Sequence, residues 1–203
     1  MATPVQPAPI PPASEPLPAT GRALVLSSLR LAWWIWLLPA GLALALALHA
    51  VRVLDYVHVL SAILWTGTDL FMGFVIGPVL RRLDLGARRQ VLGLLMPRML
   101  LFMPVAAATT TTAGWYLAHW LGLYSAPGLH WWFVGALGLA GLMFVQGLGL
   151  LLPLNLRVYW EIQKERPDPS AIRRAMVPYV RLVAWQGVLQ VVILVVMVHF
   201  VLG

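Results

Sequence analysis

The stretch Val53–Leu80, VLDYVHVLSAILWTGTDLFMGFVIGPVL, decides the fold. Its only acidic residues are Asp55 and Asp69, it has no Lys or Arg, and it is long enough to cross a bilayer. At about 1.5 Å per helical residue, a hydrocarbon core of ~30 Å needs roughly 20 apolar residues. Isolated runs of this kind satisfy their backbone in lipid only as helices. Four more such runs are present, so the segments expected to span are 31–50, 53–80, 99–121, 129–152 and 182–202. The chain is read as all-α: a polytopic membrane bundle of five transmembrane helices. Pro39, Pro78, Pro104 and Pro153 mark places where helices kink or end.

Composition supports this. Of 203 residues, 61% are hydrophobic and 10% charged, against about 25% charged in a globular domain. Mean hydropathy is +0.84. Residues 1–22 form a Pro/Ala-rich arm, including APIPPASEPLPAT, expected to be extended and flexible; residues 23–203 form the membrane domain.

All but Arg52 of the 14 basic residues fall before the first run, between the second and third, or between the fourth and fifth. Basic flanks stay in the cytoplasm, which predicts N-terminus in and C-terminus out. The net charge of +7 is thereby explained without nucleic acid. The expected location is a bacterial inner membrane.

Cysteine is absent. That excludes disulfides, iron–sulfur clusters, thiolate metal sites, Cys nucleophiles and covalently attached c-type haem. Ser27, Ser28, Ser61, Ser125 and Ser170 sit in no nucleophile-elbow context, and no Gly-rich phosphate loop precedes a Lys. A soluble-type hydrolase is therefore not expected.

With this topology every histidine lies toward the outer face: His49, His58, His119, His130 and His199. Neutral imidazole ligates metals and the axial positions of haem iron. His58 is the deepest, and at 100° per residue Trp65 and Asp69 lie within about 20° of it on one face, with Ala62 between. His58, His130, Trp65 and Asp69 are the candidate cofactor-binding residues. His58, His130, His119 and His199 are the candidate metal ligands. Met96, Met99 and Met103 could offer thioethers to copper, but read as apolar filler.

Asp69 is the costliest residue to bury, at roughly 2.5–3.5 kcal/mol on insertion scales. It must face the bundle, with Arg98 or a hydroxyl of Thr109–Thr112 as candidate partner, and it reads as a proton-relay or redox-site carboxylate or as an interhelical hydrogen bond. Asp55 either orients His58 or pairs with Arg52. The Thr run is expected to bond back to its own helix. Gln186 and Gln190, one turn apart, point the same way. Gly73 and Gly77 permit close helix contact.

The motif His58, then Trp65 and Gly67, resembles the opening helix of a membrane superfamily that includes CopD-type copper-resistance proteins and HemJ-type membrane protoporphyrinogen oxidases. The order of later features agrees: a basic loop, MPRML…TTTTAGWYLA, GLHWWF, then MVPYVRLV before the last helix. The resemblance covers about Val53–Gly203 and leaves the first run as an extra helix. It implies a four-helix core holding haem b, with His58 as ligand of the opening helix and His130 as the matching ligand of the third. HemJ-type oxidases carry Lys two residues beyond that second His; here the position is Trp132, which departs from porphyrinogen oxidation.

The function expected is electron transfer through haem b near the outer face, in contact with lipid and with a quinone, an outer-face redox protein or partner membrane subunits. The alternatives are copper handling and a non-catalytic anchoring subunit of a larger complex.

Overall fold

The computed structural model describes residues 32–126, 128–164 and 166–202, and within them every regular element is helical. The N-terminal arm lies outside the described residues. Trp33–Trp36 form a 3-10 turn that runs into α1, Leu37–Ala47. Pro39 falls in the first turn of α1, where its missing N–H costs nothing. The longer helices are α2 (Val51–Arg82), α3 (Leu85–Trp120), α4 (His130–Ile162) and α5 (Pro169–Leu202).

These four are each long and apolar enough to cross a membrane. The first apolar run differs from expectation. Its helical part, Trp33–Ala47, falls short of the roughly 20 residues a crossing needs. It packs against α2 and α3.

The four long helices form a closed up-and-down ring: α2 against α3, α3 against α4, α4 against α5, and α5 back against α2. α3 is the most enclosed. A third of its apolar window (33%) is buried within the chain, against 17% in each of the others. The rest is apolar surface such as Phe74, Tyr56 and Trp131, which lipid can cover and water cannot. The central core gathers Ile35 and Leu38 of the N-terminal helix with Trp65, Phe102, Ala106, Met143 and Leu189.

The basic segments expected as loops are mostly helix. Only Leu83 and Asp84 separate α2 from α3, and α3 carries Pro97 and Pro104 without ending. Asp84 starts α3 by accepting from the Ala87 N–H at 2.9 Å. Asp168 does the same for α5, accepting from Ser170 N–H at 2.8 Å with Pro169 in the first helical position. The extensions have their own small core: Met96, Val158, Tyr159 and Ile162 bury against Ile172 and Met176.

Two helices widen locally into π turns, Met72–Ile76 in α2 and Gln146–Leu151 in α4. Each is followed, after one residue, by proline, Pro78 and Pro153. A proline ring clashes with the carbonyl four residues back and removes one helical hydrogen bond, so the preceding turn opens.

Candidate functional site

The inward stripe of α2 holds together as the spacing predicted, but its polar members face different neighbours. Ser61 and Trp65 are buried, and His58 and Asp69 are half-buried. At about 1.5 Å per residue, His58 and Asp69 lie roughly 16 Å apart along the helix, so they belong to two sites.

His58 turns to α3. Its Nδ1 lies 2.9 Å from the backbone carbonyl oxygen of Thr110. A carbonyl only accepts, so Nδ1 carries the proton and the neutral ring keeps its lone pair on Nε2. Beneath the ring is Gly114, where an added Cβ would stand 2.7 Å from His58 Cε1. Thr110 and Thr111 bond back to the carbonyls of Ala106 and Ala107 at 2.8 and 2.9 Å, as expected of the run. Thr110 Oγ1 is also within 2.9 Å of Ser61 Oγ, which donates to the Val57 carbonyl at 2.6 Å. Asp55 is exposed and makes no ion pair with Arg52 among the described residues, whose ion pairs are Lys164–Glu161 and Arg174–Asp168.

Asp69 turns to α5. Gln190 Nε2 donates to its Oδ2 at 2.7 Å. The partner is thus neither Arg98 nor the Thr run. Arg98 lies on the basic extension of α3, while Gln190 sits in the apolar stretch of the neighbouring α5.

The other imidazoles form a girdle with aromatic rings. His49 stacks on Trp120 with centroids 5.2 Å apart, His119 on Tyr124 at 5.8 Å, and His199 on Trp132 at 4.0 Å. His130 is exposed, meets Trp131 edge-on at 5.3 Å, and places Nδ1 2.7 Å from the Tyr124 carbonyl oxygen. Tyr124 therefore draws His119 and His130 together, one through its ring and one through its backbone. A cavity of about 410 Å³ opens here, lined by Trp115, His119, Tyr124 and Phe133. His58 is not part of this group. Among the described residues, no three His, Asp or Glu converge as a metal cage would require.

Sequence reasoning missed Gly114 and Tyr124. Gly114 had a signal, as the one glycine in the α3 segment TTTTAGWYLA. Tyr124 had none, because its carbonyl does the anchoring and every residue has one.

Among family models, curated proteins and solved structures, none matches this chain.

Proposed function

We propose that this chain is a multi-pass protein of a bacterial inner membrane, N-terminus inside and C-terminus outside, that holds haem b near its outer face and serves electron transfer. One observation carries the reading. The two histidines singled out in the sequence, His58 and His130, both have Nδ1 on a backbone carbonyl, at 2.9 and 2.7 Å. That fixes the tautomer whose Nε2 lone pair an iron or copper ion accepts.

When bound, haem supplies one-electron exchange. The chain's own contribution is positional. The Thr110 carbonyl holds the His58 ring, Gly114 lets α3 approach it, and Trp65 fills the core one turn below Ser61. The donor chemistry fits residue by residue. The two imidazoles hold separate hydrogen bonds, and neither lines the outer cavity, so loading the site requires them to be drawn onto one group.

The test is an absorption spectrum of the purified protein, oxidised and then dithionite-reduced. A Soret band with α/β bands sharpening on reduction is expected, lost or shifted in His58→Ala and in His130→Ala. A flat spectrum from protein made with ample haem overturns the reading. Copper bound without a haem band would favour the His119 and His130 pair at Tyr124. Neither haem nor copper, with stable partners co-purifying, would favour an anchoring subunit.

A further inference from the structure

The carboxylate of Asp69 is the centre of a second polar cluster that the imidazole reading does not use. Gln186 and Gln190 are 1% and 0% exposed, one turn apart on α5. Gln190 spends its amide N–H on Asp69. The Oε1 atoms of both glutamines are buried without a hydrogen-bond partner in the chain. Unpaired amide oxygens are costly in an apolar interior, and buried polar atoms are nearly always satisfied.

All that is left over here is oxygen. One carboxylate and two amide carbonyls offer negative charge and lone pairs; the Gln190 amide answers one carboxylate oxygen, and the two amide oxygens have no partner. Among the described residues no Lys or Arg makes an ion pair with Asp69. The groups that interact with it from α5 are neutral: Gln190, and farther along the same helix the phenol of Tyr179; Gln186, buried one turn from Gln190, shares that side of α5. The charge that completes such a set is a single positive one. A divalent ion would leave the site with a net charge in the membrane interior, whereas a monovalent ion leaves it neutral.

The cluster also has a direction. Tyr179, Leu182, Gln186 and Gln190 recur along one face of α5. Asn155 Nδ2 of α4 donates to the Tyr179 hydroxyl at 3.4 Å, and Gln146 Nε2, at the start of the π turn, donates to the Leu182 carbonyl at 2.8 Å. This line of polar atoms runs from Asp69 toward the basic end. Beyond Gln190 the same face continues with Ile193 and Met197, both apolar.

We propose that Asp69, Gln186 and Gln190 form an intramembrane site for one monovalent cation held by oxygen, Na⁺ or a proton, reached from the basic end of the bundle. It is independent of the haem reading, and its failure leaves the absorption test untouched.

The test uses the full chain in detergent, with NaCl titrated against choline chloride by calorimetry, and the protonated-carboxyl stretch followed by infrared spectroscopy as pH is varied. If the cation is Na⁺, saturable binding of one ion per chain is expected, competed by acid. Asp69→Asn abolishes it, and Gln186→Leu and Gln190→Leu each weaken it at least tenfold. If the cation is the proton, Na⁺ gives no heat, but a carboxyl band titrates reversibly, is absent in Asp69→Asn and moves in Gln190→Leu. The Na⁺ arm is read on wild-type protein alone; in the proton arm the band is assigned by its loss in Asp69→Asn, whose helix content is checked against wild type by circular dichroism. Neither Na⁺ heat nor a titrating band overturns the proposal and leaves a plain interhelical hydrogen bond.

Discussion

Gly114 and His58 are matched surfaces: the imidazole occupies the space where any larger residue at 114 would place its Cβ, 2.7 Å from Cε1. The ring cannot simply swing aside, because its Nδ1 is held by the Thr110 carbonyl of the same helix. Gly114→Ala is therefore expected to lower stability by about 1–3 kcal/mol, the usual cost of overpacking. Gly138→Ala on α4, where an added Cβ meets nothing within 4 Å, is the control and should gain up to about 1 kcal/mol. Thermal unfolding in detergent compares them. Equal effects would mean that the Gly114 contact is not tight.

Two helix ends on the histidine-bearing side close in the same way, with different residues at the critical place. After α3, Gly122 at φ +66° lets Leu123 N–H reach the Ala118 carbonyl. After α1, His49 at φ +49° does this for Ala50 N–H and the Ala45 carbonyl. A left-handed residue other than glycine costs roughly 1–2 kcal/mol, and the stack of His49 on Trp120 returns about 0.5–1.5 kcal/mol. His49→Gly should thus be near neutral, while His49→Ala keeps the strain, loses the stack and melts lower. Gly122→Ala should also melt lower.

The starts of α3 and α5 carry an acid dependence. The Ala87 N–H bond holds the Asp84 carboxyl below its ordinary range, and the bonds from the Ser170 hydroxyl and N–H do so for Asp168. A carboxylate with a lowered folded pKa adds stability above the unfolded value, about 3.9, and loses it as pH falls through the folded one. Amide protection at the first turns of α3 and α5 should therefore be constant near neutrality and fall below about pH 4. Asp84→Asn should remove that acid step at α3 alone, read by hydrogen exchange.

Orientation can be read directly, because the chain has no native cysteine to confuse the label. Ser125→Cys, between α3 and α4, should react with an impermeant maleimide added outside intact cells. Arg166→Cys, between α4 and α5, should react only after the membrane is opened. The reverse pattern would place the basic helix ends outside and remove the basis for an outer imidazole face.

Much of this architecture was legible in the chain. Val53–Leu80 and its companions had to be helices, since lipid leaves no other partner for their backbone. The stripe of His58, Trp65 and Asp69 followed from helical periodicity alone, and Trp65 is buried where that stripe points inward. The limits of the helices were less legible. Apolarity stops at the membrane boundary, but hydrogen bonding and the small core of Met96, Tyr159 and Ile162 carry α3, α4 and α5 past it.

What the sequence determined by itself was thus the helical class of the apolar runs, the inward face of α2 and the kinds of polar group buried; it counted five spans where four helices are long enough. Those depend on local composition and on a fixed 100° step. Which group meets which was decided by the tertiary structure. Gln190 reaches Asp69 across 121 residues, and His58 settles on Thr110 and Gly114 of the adjacent helix. Such pairings depend on the rotation and depth at which whole helices pack, which is set by all their contacts together.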